Sequence, residues 1–223
     1  AIMIVHLYGN VCDLISNLKL KKKYKLKLIE DCAESIGAKY KGKSIGTFGD
    51  ASVFSFHGTK TITTGEGGTF ACKSKKVWDK YQLIHNMGKS PKEPKYFFLE
   101  TIGLKYKISN LQAALGESQL DKINYVIKMK TKIYKCYKKY FDNKIFKMNK
   151  SEKNSQPTYW MSTLNIAHPN LKKGFKERLI QFCMNKNIHL RPFFYPLSSM
   201  PMYKIKNKFT KSNSDKLSLS TVN

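Results

Sequence analysis

LIEDCAESIGAKYKGKSIGTFGDASVFSFHGTKTITTGEGG, from Leu28 to Gly68, contains two chemically distinctive parts. The first part ends an apolar run with the acidic pair Glu30 and Asp31. The second part is a strand-like run that includes Ser55, followed by a polar, glycine-rich loop that contains Lys60. Ligands of open α/β sheets bind outside the carboxyl ends of the strands. Both parts are therefore expected to face one crevice.

A carboxylate, a hydroxyl and a lysine amine at one crevice suit a cofactor with a basic ring nitrogen, a phosphate and an aldehyde. Pyridoxal phosphate has all three groups, and enzymes hold it through a lysine Schiff base and an aspartate at the ring nitrogen. The same residues have plainer interpretations. Asp31 alone is typical of a helix cap, and Lys60 alone is typical of an exposed position in a lysine-rich chain.

The hydrophobic pattern predicts an α/β fold. Ile2 to Tyr8 is typical of a buried strand, Asp13 to Tyr24 of a helix, and Lys25 to Glu30 of the next strand. A strand, a helix and a strand in this order predict a parallel sheet. Ala51 to Phe56 and Gly68 to Lys73 are predicted as further strands, and glycines between 37 and 50 predict turns around a short hairpin.

The second half of the chain begins with a helix signal. Ser109 and Gln112 have the spacing of a capping box and precede a long apolar pattern at three- and four-residue steps, which predicts one long helix. Further predicted elements are a strand at Tyr159 to Ile166, a helix at Phe175 to Asn187 and a strand at Ile188 to Phe194.

Length and composition exclude some classes of protein. The 223 residues suffice for one large domain or one and a half small ones. No stretch approaches the ~18 apolar residues of a membrane span, and the first residues lack the basic region of a signal peptide. The five cysteines are odd in number and widely spaced, with no C-x-x-C, which predicts neither disulfides nor a metal site. The chain is predicted to be cytoplasmic, without a membrane partner.

The net charge of +26 comes from 41 Lys and Arg against 15 Asp and Glu. Such a charge is compatible with a nucleic-acid partner. It is equally produced by a lysine-rich composition spread over solvated faces. Because no RNP, zinc or helix-turn-helix signature accompanies the lysines, no specific nucleic-acid partner is predicted.

The stretch from Leu28 to Gly68, called the decisive stretch below, resembles the core of the DegT/StrS-type sugar-nucleotide aminotransferases. These enzymes are a branch of the fold-type I pyridoxal phosphate enzymes. Within that branch it is most similar to perosamine and viosamine synthases. The resemblance covers nearly the whole chain, in the order of the family. It also rests on VHLYGN (5–10), GLKYKISNLQAALGESQLDKIN (103–124), YW (159–160) and RPFFYPL (191–197).

The resemblance implies a fold-type I transferase with a mainly parallel sheet, flanking helices and a smaller C-terminal α+β domain. The implied domains are 1–108, a partial large cofactor-binding domain; 109–145, a linking helix; and 146–223, a partial small domain. Relatives usually begin well before the position of Ala1, with a phosphate-binding loop. The resemblance thus implies that this chain is a fragment lacking both ends, a split gene or a partial gene model.

The resemblance also assigns the residues of the decisive stretch. Lys60 is implied to form the internal Schiff base with pyridoxal phosphate and to carry protons between the cofactor and the substrate. Asp31 is implied to bond the pyridine nitrogen, Ala33 to lie against the ring, and Ser55 to bond the phosphate. Glu34 is placed near the ring hydroxyl or the reacting amine.

Two positions outside this stretch are also implied to belong to the site. Lys105 stands where relatives often have an asparagine that reaches the phosphate in the neighbouring subunit. Arg191 is implied to contact the substrate, although a solvated arginine at a sheet edge is an equal alternative.

The activity implied by the resemblance is transfer of an amino group from glutamate to a nucleotide-linked 4-keto-6-deoxyhexose by a homodimer with shared sites. Two other functions remain compatible with the sequence: an inactive family fragment with a structural role, and a basic nucleic-acid-binding protein.

Overall fold

The computed structural model describes residues 1–90, 92, 95–167, 174–203 and 212–223, so parts of the predicted domain 146–223 lie outside the described residues. The chain forms two compact units. The first comprises Ala1–Lys130 and Ser151–Trp160, and the second comprises Thr131–Lys150 and Met161–Asn223.

The described residues form ten strands and six α-helices. In chain order they are β1 (Ile2–Val5), α1 (Leu14–Lys23), β2 (Leu28–Asp31), β3 (Lys39–Tyr40), β4 (Lys43–Ser44), β5 (Ala51–Ser55), β6 (Gly68–Cys72), α2 (Lys75–His85), α3 (Asn110–Leu120), α4 (Ile123–Phe141), β7 (Phe146–Met148), β8 (Ser155–Gln156), β9 (Leu164–Ile166), α5 (Phe175–Met184), α6 (Asn213–Ser220) and β10 (Thr221–Val222). Short 3-10 turns occupy Leu7–Gly9, Leu197–Ser199 and Pro201–Tyr203.

The first unit is built on a four-stranded sheet in the order β1-β2-β5-β6. β1, β2 and β5 are parallel, and β6 runs antiparallel to β5. The parallel pair β1 and β2 is connected through α1, because parallel neighbours need a crossover connection. The predicted strand–helix–strand unit and parallel sheet are thus confirmed.

Apolar residues of this sheet, of α1 and of the segments that follow β1 and β2 form the main core of the first unit. The core contains Ile4, Val11, Leu14, Leu28, Cys32, Ala38, Tyr40 and Ile45. Leu14 and Leu28 are fully buried, and each such side chain stabilises the fold by about 1.5–3 kcal/mol. Asp13 caps α1 by accepting a hydrogen bond from the Ser16 N–H at 3.0 Å.

Two predicted elements differ from the structure in the first unit. The strand predicted from Ile2 to Tyr8 ends at Val5, because the chain turns at Leu7–Gly9 and Tyr8 has a left-handed φ of 55°. The predicted long helix is divided into α3 and α4, although its capping box at Ser109 is confirmed. The division follows from a tighter turn, in which the Lys122 N–H bonds the Gln119 carbonyl three residues back.

The hairpin of β3 and β4 is also confirmed, and β8 adds to it as a third antiparallel strand. The second unit contains another antiparallel sheet, in the order β10-β9-β7. The helix predicted at Phe175 to Asn187 is confirmed as α5, which ends at Met184.

The two strands predicted in this part of the chain are largely wrong. Only Leu164–Ile166 forms a strand of the segment predicted from Tyr159, because Tyr159 has a φ of 49° and bends the chain. Ile188 to Phe194 forms only an isolated bridge at Pro192, which lacks the N–H that a strand ladder needs. Among the described helices, none combines the length and the hydropathy that a bilayer crossing requires.

Gly9 is the glycine whose replacement is expected to matter most near the sheet edge. Its φ is +83°, and a β-carbon there would lie 2.5 Å from the Trp160 backbone nitrogen. We expect Gly9→Ala to lower the free energy of unfolding by about 2–5 kcal/mol, as the sum of a left-handed penalty and overpacking. Urea denaturation measures this change.

Gly42→Ala is the matched control. Gly42 has a similar φ of +76°, but a β-carbon there meets nothing within 4 Å. Gly42→Ala should therefore lower the free energy of unfolding only by the left-handed backbone penalty of about 1–2 kcal/mol. Equal losses of stability in the two variants would contradict a packing role for Gly9.

Candidate active site

Two adjacent parallel strands bring Asp31 and Ser55 to one edge of the sheet. Asp31 is the last residue of β2 and is paired with Val53, two residues before Ser55 at the end of β5. Because the strands are parallel, both residues lie at the same carboxyl end of the sheet. The Asp31 carboxylate also accepts a hydrogen bond from the Ala33 N–H at 3.0 Å, which fixes the chain where it leaves β2.

Lys60 lies in the turn after β5 and is not a surface lysine. Its side chain is only 15% exposed, and its Nζ lies 3.7 Å from Glu34 Oε1. Nζ also lies 4.2 Å from the centre of the Trp160 ring. The Lys60 N–H donates to the His57 carbonyl at 2.9 Å, which holds the turn. The plain interpretation of Lys60 as surface decoration is therefore wrong.

Glu34 links the two parts of the decisive stretch, because it follows Asp31 in the chain and contacts Lys60. It is buried, and its Oε2 accepts a hydrogen bond from the Tyr8 N–H at 2.7 Å. Burial raises the pKa of the Glu34 carboxyl above its ordinary value. The Tyr8 N–H and the charge of Lys60 oppose this rise in the pKa, whereas the charge of Asp31 adds to it. One carboxyl thus lies within electrostatic reach of both Asp31 and Lys60.

Removing the charge of Lys60 is expected to raise the pKa of Glu34 further. Lys60→Met takes away a positive charge that favours the ionised carboxylate, whereas Lys60→Arg keeps a positive charge at this position. The pKa can be followed by carbon NMR of a chain labelled at its glutamate carboxyls. An unchanged Glu34 titration in Lys60→Met would show that the pair seen in the structure does not persist in solution.

Trp160 belongs to this cluster and was not predicted as a site residue. Its Nε1–H donates to the Thr59 carbonyl at 2.7 Å, 101 positions earlier in the sequence. Its ring stacks on that of Tyr8 with centroids 5.8 Å apart. Only the YW pair in the family resemblance pointed to Trp160. No local pattern could have revealed which residue it contacts.

Two glutamines of α3 hold the glycine-rich loop that follows Lys60. The Gln119 amide accepts from the Thr63 N–H at 3.1 Å and donates to the Thr63 carbonyl at 2.6 Å. The Gln112 amide donates to the Glu66 carbonyl at 2.9 Å. These contacts were also missed, because side-chain bonds to distant backbone leave no periodic signal in a sequence.

The other predicted residues are placed as follows. The Ser55 hydroxyl accepts from the His57 N–H at 3.3 Å. Lys105 is exposed and forms a backbone bridge with Asn86. Arg191 lies in the second unit, where its backbone pairs with Asn223 at 2.6 and 2.9 Å. Their roles stay predictions.

His6, Glu30 and Cys32 form a buried cluster whose possible ligand atoms lie within 4.8 Å of one another. His6 Nδ1 accepts from the Cys12 N–H at 3.2 Å, so a neutral ring carries its hydrogen on Nε2, which lies 3.2 Å from Glu30. Burial raises the pKa of the Cys32 thiol, and the charge of Glu30 raises it further. The cluster is therefore already engaged in hydrogen bonding, with a thiol that resists ionisation.

The residues at the sheet edge fit pyridoxal phosphate. A carboxylate from β2, a hydroxyl from β5 and an enclosed primary amine match the ring nitrogen, the phosphate and the aldehyde in turn. The amine lies 3.7 Å from the Glu34 carboxylate and 4.2 Å from the centre of the Trp160 ring. This donor set is what the cofactor requires.

Comparison with known proteins agrees with this chemistry. The family model for the DegT/DnrJ/EryC1/StrS aminotransferases matches residues 1–223. The chain is 40% identical over 206 residues to a GDP-perosamine synthase of Escherichia coli O157:H7, covering 92% of this chain and 55% of that protein. It is 37% identical over 217 residues to a GDP-perosamine synthase of Vibrio cholerae, covering 96% and 58%. The chain thus spans about half the length of the curated relatives it matches.

A solved structure supports the same fold. The aminotransferase PseC of Helicobacter pylori superposes with a TM-score of 0.89 at 24% identity, over 100% of this chain and 60% of that one. The fold is that of the fold-type I sugar aminotransferases, with a mixed sheet in which parallel strands predominate. From the whole-length family match and the relatives it resembles, the chain belongs to the DegT/DnrJ/EryC1/StrS family of pyridoxal phosphate-dependent aminotransferases.

Proposed function

We propose that this chain contributes the amine-transfer site of an enzyme that converts a nucleotide-linked 4-keto-6-deoxyhexose to the 4-amino sugar, with glutamate as donor. The observation that carries the proposal is the Lys60 amine, enclosed by Glu34 and Trp160 beside the sheet edge with Asp31 and Ser55. The names of the two perosamine synthases support the amino sugar as product.

Each residue of the sheet edge has a role in this proposal. Lys60 would hold the cofactor aldehyde and then move a proton at the substrate carbon. Asp31 would accept the hydrogen of the ring nitrogen and keep that nitrogen protonated. Ala33 would leave room for the flat ring, and Ser55 would donate its hydroxyl to the phosphate. When bound, pyridoxal phosphate supplies the electron sink that makes the amino acid and sugar carbons acidic.

Glu34 is suited to assist the proton movement of Lys60. Its carboxyl lies 3.7 Å from Lys60 Nζ, and burial raises its pKa. A carboxyl with a raised pKa exchanges protons more readily near neutral pH than an ordinary one, which is the condition for general acid–base catalysis. The Tyr8 N–H holds the other oxygen of Glu34 and so keeps the carboxylate oriented toward the amine.

Lys105 and Arg191 extend the proposal beyond the first cluster. Both have basic side chains, which suit contact with phosphate groups. We assign Lys105 to the cofactor phosphate of a neighbouring subunit and Arg191 to the nucleotide sugar. We place 1–108 in the cofactor-binding domain, 109–145 in a linking segment that contains α3 and α4, and 146–223 in a smaller domain. A cytoplasmic location completes the proposal.

An exposed apolar segment supports association with a second copy. Tyr96, Phe97 and Ile102 are each at least 93% exposed, and Leu111 of α3 is 86% exposed. Apolar surface of this extent marks an interaction site more often than free solvent contact. Light scattering on the purified chain should give twice the mass of one chain. A monomer at all concentrations would contradict the shared-site dimer.

The activity is tested by incubating the chain with pyridoxal phosphate, glutamate and a GDP-linked 4-keto-6-deoxyhexose. Mass spectrometry should detect the amino sugar in place of the keto sugar, and a dTDP-linked substrate run in parallel tests the choice of nucleotide. Aspartate in place of glutamate is the donor control. A chain that binds the cofactor but makes no amino sugar from either nucleotide would instead support an inactive structural role.

A further inference from the structure

We propose that Trp160 is a positioning residue for Lys60, holding its amine by the ring face and fixing the backbone before it by the indole N–H. This inference rests on the proposed role of Lys60 in cofactor binding. The ring centre lies 4.2 Å from Lys60 Nζ, well within the roughly 6 Å at which a cation is attracted to an aromatic face. Tryptophan is the aromatic residue with the strongest such attraction.

The indole N–H acts on the same residue through the chain. It donates to the Thr59 carbonyl at 2.7 Å, and that carbonyl belongs to the peptide bond that leads into Lys60. The direction in which the lysine side chain leaves the backbone is thereby fixed. One side chain therefore restrains both ends of Lys60, its peptide link and its amine.

Trp160 is itself held rigidly enough for this task. It is only 6% exposed, and its ring stacks on Tyr8 at an angle of 28°. The backbone around it is fixed by the Thr158 N–H, which donates to the Gly9 carbonyl at 2.9 Å, and by Lys130, which donates to the Trp160 carbonyl at 3.2 Å. A side chain anchored at this many points can position another one.

Glu34 is the second group that contacts the Lys60 amine. Its carboxylate lies 3.7 Å from the amine, and it is bonded to the N–H of the same Tyr8 on which the Trp160 ring stacks. Tyr8 thus connects the two groups that face the Lys60 amine. We expect this enclosure to shield the amine from indiscriminate reaction when no cofactor is bound.

The test measures the reactivity of Lys60 in the 223-residue chain without cofactor. The chain is treated briefly with acetic anhydride, and mass spectrometry gives the rate for each lysine, with exposed lysines as internal references. In Trp160→Leu, the Lys60 rate should rise by about threefold to thirtyfold, the range that cation–π attraction covers. Trp160→Phe keeps an aromatic face but loses the indole N–H, so its rate should lie between the two.

Trp78→Leu is the matched control, because Trp78 packs on Tyr81, 5.4 Å between centroids, and its loss should leave the Lys60 rate unchanged. If Trp160→Leu fails to fold, the buried Lys176 will react faster together with Lys60, and the comparison of wild type with Trp160→Phe then decides. Equal Lys60 rates in those two proteins, or the same rate in folded Trp160→Leu as in wild type, would overturn the proposal. This measurement does not involve cofactor binding. The proposal about Trp160 can therefore fail while Lys60 still binds pyridoxal phosphate.

Discussion

Replacing Lys60 by alanine is expected to abolish covalent binding of pyridoxal phosphate to this chain. Lys60 has the amine that the structure encloses at the sheet edge, between Glu34 and Trp160. A covalent link to the aldehyde requires a primary amine, which the alanine variant lacks at this place. The measurement is the near-visible absorbance band of the cofactor-loaded chain, which should be absent in Lys60→Ala after the excess cofactor is removed.

Two further variants make this experiment specific. Lys60→Arg keeps a positive charge against Glu34 and Trp160 but cannot form the link, so it should also lack the band while remaining folded. Lys43→Ala removes an exposed lysine from the hairpin and should retain the band. Retention of the band by both Lys60 variants would show that another lysine is the attachment site.

Replacing Glu30 by alanine is expected to cause the largest loss of stability. Glu30 is fully buried next to Asp31, and its two oxygens accept from Gly46 N–H at 2.8 Å, Phe48 N–H at 2.8 Å and Gly49 N–H at 2.5 Å. Its carboxylate also faces His6 at 3.2 Å. Alanine leaves these donors buried without an acceptor, which should cost about 3–5 kcal/mol.

That loss is a large part of the roughly 5–15 kcal/mol that stabilises a typical protein. Urea denaturation should therefore show Glu30→Ala unfolded or close to it. Glu30→Gln is the matched control, because its amide oxygen still accepts some of the bonds and it should be less destabilised. A stability of Glu30→Ala within 1 kcal/mol of wild type would contradict the role of this carboxylate, since ordinary surface changes cost about 0.5 kcal/mol.

Glu30 also predicts how stability depends on pH. Burial alone would raise its pKa, but the hydrogen bonds from His6, Gly49 and Gly46 outweigh burial and hold the pKa below the ordinary value of 4.5. The unfolded chain then takes up the proton at a higher pH than the folded chain. The stabilisation of the fold that this difference in pKa provides is fully present above pH 4.5. It is lost as the pH falls through the lowered pKa of Glu30 in the folded chain. Glu30→Gln should lack this part of the acid dependence.

The sequence revealed the parts of the site that are local. Asp31 ends one predicted strand and Lys60 follows another, and the rule that ligands bind at the carboxyl ends of strands in α/β sheets predicted one crevice for both. The family resemblance added Ala33, Glu34 and Ser55 by position in the same stretch. The mostly enclosed Lys60 side chain and the parallel pairing of β2 with β5 agree with the sequence pattern and with the family resemblance.

The parts that were missed depend on contacts between distant segments. Trp160 reaches Thr59 across 101 positions, and Gln119 reaches Thr63 across 56. Glu30 was recognised only as the neighbour of Asp31, although it binds three N–H groups of a loop formed by later residues. Such bonds depend on tertiary packing, which neither hydrophobic period nor residue spacing encodes.

The errors in the predicted strands have a similar origin. Tyr8 and Tyr159 both take left-handed backbone conformations, which are uncommon for bulky residues. Tyr8 stacks on the Trp160 ring, and Tyr159 precedes Trp160 in the chain. Aromatic residues favour strands in sequence patterns. Here they are used in turns that shape the site, so propensity pointed to the wrong structure.

The most direct test of the central claim is to locate the attached cofactor. The chain is loaded with pyridoxal phosphate, reduced with borohydride and digested, and each lysine-containing peptide is weighed by mass spectrometry. We predict the pyridoxyl group on Lys60, with little on the other lysines of this lysine-rich chain. Pyridoxyl groups scattered over surface lysines, with Lys60 unmodified, would contradict the claim that Lys60 holds the cofactor.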